Sequence, residues 1–266
     1  MPIIRRIYFW ALDRYLRLLV GLGILIQHDG SEKAAVVILS YKRENNMDRI
    51  LTGVLACGFV DQVIVSNNNP DVDVTRHISH RDPRLTIIQS QERKGAASRY
   101  DVARDCDSEY FICIDDDVFP DPWQLRKMFT CLLRNPASPV GCTGEFYDHV
   151  HKQFRQIKPR SLFAGDLSCP VDVILHIYVF TRKHLARYFE NVSAIGKTNE
   201  AIHSSEDVII SFAGDEPATF LDVGEMASCP SCTDPDIATF QRSGFWEFRK
   251  ELFQKLLFLG SHKKSI

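Results

Sequence analysis

The sequence predicts an α/β protein: a mostly parallel central sheet flanked by helices, in a single domain with amphipathic helices at both termini. Three observations lead there. Short apolar runs rich in β-branched residues recur from residue 34 onward, as buried parallel strands do. Helix-periodic segments alternate with them, the order that places helices on the faces of a parallel sheet. Three of the strand-like runs end in polar clusters, and in such sheets ligands bind outside the carboxyl ends of the strands.

The elements follow in order. Residues 1–30 read as an amphipathic helical segment, "RRIYFWALDRYLRLLVGLGILIQ", with apolar residues at 8, 9, 12, 15, 16, 19 and 20. Asp13, Arg14 and Arg17 interrupt it, and the remaining run from Leu18 to Ile26 is too short to span a bilayer. It also lacks a convincing signal-peptide cleavage site. Two readings fit: a helix packed on the domain, or an interfacial helix held on an anionic membrane by Arg5, Arg6, Arg14 and Arg17.

Residues 31–228 hold the α/β domain. "AAVVILSY" is the first strand, and "NNMDRILTGVLACG" a helix stopped at Gly58. "DQVIVSNNN" and "RLTIIQS" are the second and third strands. "GAASRYDVARDC" is a helix, "YFICIDDD" the fourth strand, and "DPWQLRKMFTCLL" a helix capped by Asp121 before Pro122. His149 and His151 alternate in what reads as a hairpin. Residues 229–266 combine a loop, "CPSCTDPDIATFQRSGF", with a second amphipathic helix that has a basic end.

A formal net charge of −2 with 25% charged residues is ordinary for a soluble protein, and argues against a nucleic-acid binder. Eight scattered cysteines are too few for a disulfide scaffold in this length. They point to a reducing, cytoplasmic setting, with peripheral membrane contact left open. Cys229 and Cys232 form a lone CPSC, read as a local disulfide or two free thiols rather than a zinc site. Asn191-Val192-Ser193 fits a glycosylation sequon, a pattern common by chance.

The sharpest feature is "YFICIDDDVFPD", a buried strand running into three aspartates. Asp is depleted in strands, and adjacent buried carboxylates repel. Either one takes a proton or a cation binds. In extended geometry Asp115 and Asp117 project to one side and Asp116 to the other. Two same-side carboxylates suit Mg²⁺ or Mn²⁺, which complete their shells with water and phosphate oxygens.

Here the sequence resembles the GT-A glycosyltransferases with their DXD motif. "KGAASRYDVAR" is similar to the Ala-Arg-Asn segment of family-two glycosyltransferases, with Ser98 and Tyr100 at the Ala and Asn positions. "VILHIYVFTRKHLARYF" resembles the acceptor-side strand and helix, and "SSEDVIISFAG" the later Glu-Asp segment. The exostosin family carries a similar Asp-Asp-Asp-Val. The likeness covers about residues 34–224.

The resemblance implies a metal-dependent transferase that moves a sugar from a UDP- or GDP-sugar to a hydroxyl-bearing acceptor. Ser40, Tyr41, Arg43, Glu44, Asn67 and Asn68 would border the base and ribose. Lys94 and Arg99 would meet the diphosphate, and Asp115 and Asp116 would face the donor. Asp117 and Asp115 would hold Mn²⁺ or Mg²⁺. Asp207 would be the general base, with Glu206 as the alternative.

The second strand departs from the pattern, ending "SNNNPD" where the family is Asp-rich. Many GT-A enzymes have a late metal-binding histidine; His262 sits in a basic tail and reads as a surface residue. Two other readings stand beside this one. A non-catalytic nucleotide-sugar-binding or scaffold protein is opposed by the intact acid motifs. A nucleotidyltransferase would need a Gly-rich loop after the first strand, and "LSYKRENN" has none.

Overall fold

The computed structural model describes residues 2–229, 231, 234 and 237–263, with side chains for 3–260 of these. Helix α1 (Pro2–Gly21) leads into β1 (Ala34–Ser40), α2 (Met47–Leu55), β2 (Val60–Asn67) and β3 (Leu85–Gln89). Then come α3 (Ser98–Asp105), β4 (Tyr110–Ile114), the short β5 (Val118–Phe119) and α4 (Pro122–Arg134). Strands β6 (Val140–Asp148), β7 (Gln153–Ile157), β8 (Ser168–Val171) and β9 (Val173–Thr181) precede α5 (Arg182–Ala194) and α6 (Glu206–Ser211). The chain closes with β10 (Ala218–Leu221), β11 (Ala227–Ser228) and α7 (Phe245–Lys263).

The main sheet runs β3-β2-β1-β4-β9-β6-β10-β8, with β7 also paired to β6. Its first four strands are parallel, as the strand–helix alternation requires. Beyond β4 it is mixed: β9 is antiparallel to both β4 and β6, and β7 to β6. Strand β10 is parallel to β6 and antiparallel to β8. The parallel part of the expected mostly parallel sheet is thus its first half. The second half contains a hairpin, which needs only a short turn. His149 and His151 sit in that turn between β6 and β7, and His151 Nδ1 pairs with Asp148 Oδ2 at 2.8 Å.

Helices on both faces explain the uninterrupted apolar strands. Along β1, Ala35 and Val37 face one core and Ala34, Val36 and Ile38 the other. Along β4, Phe111 and Cys113 alternate in the same way with Ile112 and Ile114. The first core carries residues of α3, α5, α6 and α7; the second carries those of α2 and α4. The amphipathic α7 buries Leu252, Phe253 and Leu256 in the first core. Helix α1 buries Leu16 and Leu19, and Tyr15 stacks on Trp123 of α4. Among the described residues no helix is long and apolar enough to cross a membrane.

Several local expectations are met by identifiable contacts. Asp121 caps α4, accepting from the Trp123 and Gln124 backbone N–H groups, while Gln124 accepts in return from Asp121 N–H. Gly53 on α2 lies so close to the Pro120 carbonyl that a Cβ would come within 2.2 Å of it. That contact holds α2 against the turn after the aspartates. Cys57, Cys106 and Cys113 are buried free thiols, Cys131 is half-buried, and Cys229 is a free thiol. Cys232 lies outside the described residues. Asn191 is buried on α5 and donates to the Phe212 carbonyl at 3.3 Å, so the sequon triplet serves packing.

His184 gives the fold a pH dependence. It stands at the start of α5, where Nδ1 accepts from the Thr181 N–H and its own N–H donates to Thr181 Oγ1. Burial drives its pKa down from 6.5 to about 4. The unfolded chain therefore binds this proton first. The contribution is whole above pH 6.5 and is lost as pH falls toward 4, reaching about 3 kcal/mol. His184→Gln can keep the reciprocal cap but cannot titrate. Urea denaturation between pH 7 and 4 should show a shallower acid loss for the variant; parallel curves would refute the assignment.

Candidate functional site

The three polar clusters meet at one edge of the sheet. Ser40 pairs with Asn67, and Ile38 with Ile114, so the ends of β1, β2 and β4 are level. The three aspartates follow β4 directly, Asp116 and Asp117 in a turn, and their side chains take different partners. Asp116 turns toward the β1 loop, where Oδ2 accepts the Tyr41 N–H at 2.7 Å and Oδ1 accepts Arg43 Nη1 at 2.7 Å. Burial pushes its carboxyl up to about 7, against the pull of Arg43. Asp116 thus fastens the loop after β1.

Asp115 and Asp117 converge on His176 in a cavity of about 1180 Å³, and Asp117 Oδ2 also lies 3.4 Å from Arg43 Nη2. Oδ1 of Asp115 takes Arg99 Nη1 at 2.6 Å. Burial alone would raise this carboxyl, but Arg99 and His176 hold it below the ordinary carboxylate range. Burial and then repulsion from Asp115 push Asp117 up. Oδ1 of Asp117 is buried without a hydrogen-bond partner. An orphaned buried carboxylate oxygen is costly unless something binds it.

His176 supplies the third group. Strand β9 carries one extra residue opposite β6, between the pairs Gly141–Tyr178 and Thr143–Leu175. At this bulge His176 has φ +68°, a left-handed conformation unusual for a side chain of its size. Its carbonyl accepts the Asp115 N–H at 2.9 Å, and Nδ1 lies 3.7 Å from Asp115 Oδ2. Burial would lower the imidazole pKa; the neighbouring aspartates raise it instead. Ligand atoms of Asp115, Asp117 and His176 all lie within 4.8 Å of one another. A shell with bonds of about 2.1 Å allows donors up to about 4.2 Å apart, so small side-chain rotations would close it. The residues present therefore fit a divalent cation.

A second acidic group lines the same cavity. Glu206 and Asp207 open α6, both buried. Ser205 stands at the N-cap of α6 with φ 63° and makes no side-chain capping bond. Oδ1 of Asp207 accepts the N–H of Val208 at 3.0 Å and Arg249 Nη1 at 2.7 Å. Arg249, on α7 and almost fully buried, also grips Glu145 Oε2 of β6 at 2.6 Å. Glu206 lies 3.5 Å from Arg99 Nη2. Burial pushes Glu206 up to about 7, with Arg99 opposing and Asp207 adding to the rise. Arg99 thus links the two acidic groups.

Of the residues expected at the donor side, Tyr41, Arg43, Asn68, Lys94, Arg99, Asp115 and Asp116 line the cavity, as do Asp117, Glu206 and Asp207. Ser40, Glu44 and Asn67 do not; they are buried beneath it. Asn67 donates to the Asn69 and Val72 carbonyls, and Glu44 accepts from Asn69 Nδ2 at 2.6 Å. Those contacts shape the polar loop after β2. Arg93, Lys158 and Arg242 add positive charge to the wall. Ser231 ties to Arg43 and the Cys229 N–H to the Asp117 carbonyl, strapping the chain after β11 over the triplet.

His176, Glu145 and Arg249 went unread in the sequence. A lone histidine inside "VILHIYVF" was the available signal for the first. Nothing local marks the other two, whose meeting is purely tertiary. The side chain of His262, the alternative late histidine, lies outside the described residues.

Comparison with known proteins fits this geometry. Residues 35–192 match the sequence model of glycosyl transferase family 2. In structure the chain resembles a crystal structure described as GalNAc-T7 with UDP, GalNAc and Mn2+, with a TM-score of 0.56 and 8% identity. The match covers 84% of this chain and 48% of that one, so this chain spans about half its length. The shared fold is GT-A. A comparison with curated protein sequences gives no match.

Proposed function

This chain belongs to glycosyl transferase family 2, and we propose that it moves a sugar from a nucleotide-diphosphate donor to a hydroxyl-bearing acceptor with Mn²⁺ at Asp115, Asp117 and His176. The observation that carries the proposal is the pairing of two acidic groups in one cavity. One is a three-residue cation cluster with an unpartnered carboxylate oxygen; the other is the Glu206-Asp207 pair at the start of α6. Imidazole nitrogen is a better ligand for Mn²⁺ than for the harder Mg²⁺, which favours manganese. When bound, the cation neutralises charge on the departing diphosphate.

The chain's own residues do the rest. Arg99 and Lys94 offer charge-assisted hydrogen bonds to the diphosphate. Tyr41, Arg43 and Asn68 border the nucleoside. In the transfer, the acceptor oxygen bonds to the anomeric carbon as the carbon–oxygen bond to the diphosphate breaks. The electron pair leaves with the nucleoside diphosphate, and the acceptor proton passes to Asp207. Oδ1 of Asp207 is engaged by Val208 and Arg249, which leaves Oδ2 for the proton. Arg249 is a positioning residue in this scheme. The fold likeness to a UDP- and Mn2+-bound protein supports a UDP-sugar as the first donor to try.

A panel of UDP- and GDP-sugars with simple glycoside acceptors tests the proposal. At least one donor should release nucleoside diphosphate and form a glycosylated product in Mn²⁺. Donor binding without product across the panel would favour a nucleotide-sugar-binding role for the domain.

A further inference from the structure

Helix α1 has two apolar sides, and the domain covers only one. At 3.6 residues per turn, Ile3, Ile4, Ile7, Trp10, Leu18 and Leu22 fall within an arc of about 120°. They are 72%, 67%, 59%, 64%, 57% and 63% exposed, respectively. Globular proteins seldom leave so many large apolar side chains in one exposed stripe. At one end the stripe continues through exposed Ile24 and Leu25. At the other it reaches Phe163, 68% exposed and edge-on to Tyr8 at 6.0 Å.

Charge around the stripe has one sign. Arg14 is exposed within it, its guanidinium 5.8 Å from the Trp10 ring. Arg6 and Arg17 are exposed along one flank. The acids on the inward side are already matched: Asp13 pairs with Arg17, and Glu225 with Arg5 at 2.7 Å. An apolar face with arginines at its level, on a helix too polar to span, matches the interface of an anionic bilayer. There the side chains enter the acyl boundary and the guanidiniums meet phosphates.

We propose that this face of α1 seats the protein on an anionic lipid surface. The orientation follows from the contacts. Helix α1 begins beside Glu225, in the segment leading to β11 and the aspartates, and its connection to β1 passes Cys57 ahead of β2. It therefore spans from the site's edge of the sheet to the opposite edge. A bilayer along α1 would lie beside the cavity, not across it. The inference is independent of the transfer reaction.

The test is co-sedimentation of the full chain with phosphatidylcholine vesicles, with and without phosphatidylglycerol. Binding should need the anionic lipid and weaken with salt. Ile7→Asp with Trp10→Asp should lower the bound fraction at least roughly tenfold, and Arg6→Glu with Arg14→Glu should abolish the anionic preference. All four positions are exposed, so melting temperatures should hold. If a variant fails to fold, brominated-lipid quenching of Trp10 in the unaltered chain, corrected with Trp10→Phe, decides the matter. No vesicle binding, binding equal in the apolar variant, or an unquenched Trp10 would overturn the proposal. So would a dimer in solution that the same substitutions dissociate without any vesicle binding, since a second copy would then cover the face.

Discussion

Asp207→Asn is expected to keep the donor and lose the reaction. The substitution preserves size, and its amide oxygen can still accept from Val208 N–H and Arg249. Arg249 is not stranded, because Glu145 remains its partner at 2.6 Å. The fold should therefore survive with a loss of about 1–3 kcal/mol from the weakened buried pair. Donor contacts proposed for Arg99, Lys94 and the aspartates lie elsewhere, so donor affinity should stay near the wild-type value. What disappears is the group that takes the acceptor proton. Turnover should fall by roughly a hundredfold or more, the usual scale for a positioned acid-base group. Steady-state kinetics with a donor titration checks both halves. Full turnover in this variant would move the role to Glu206, which shares the cavity and whose pKa is already raised to about 7.

How much of this was legible in the sequence follows the range of the forces involved. Strands β1 and β4 were readable because they are buried on both faces and so are apolar almost without a break, while β2 and β3 were readable from their short β-branched runs. The cap at Asp121 was readable because it is made by residues two and three positions away. The expected pairing of Asp115 with Asp117 is met at the cation cluster, although the triplet lies in the turn just past β4 rather than in the strand. The antiparallel second half was not legible, since β9 is an apolar run that fits either direction and β6, with Gly141, Thr143, Gly144 and Glu145, has no clear strand pattern. Asn67 and Glu44 were expected at the nucleoside because they belong to polar loop clusters. Both turn inward to neighbouring polar groups, which composition does not reveal. His176 depends on a bulge in β9, and the Glu145–Arg249–Asp207 cluster on residues up to 104 positions apart. Such contacts exist only once the sheet and α7 have packed.

The central claim is that the aspartate cluster binds the donor diphosphate through a divalent cation, and thermal unfolding with nucleoside diphosphate tests it most directly. In Mn²⁺, UDP or GDP at about a hundred times its Kd should stabilise the native chain by about 3 kcal/mol. For a chain of this size that is roughly 5–10 °C in Tm. In chelator the shift should vanish. Asp117→Asn removes the cluster's second carboxylate, and with it the buried charge and the repulsion from Asp115 that together raise Asp117 in the unliganded protein. The apo variant should melt at or slightly above the wild-type temperature, yet show no difference between Mn²⁺ and chelator when nucleotide is added. Equal stabilisation of the wild type with and without metal, or an Asp117→Asn protein that retains the full metal-linked shift, would contradict the account.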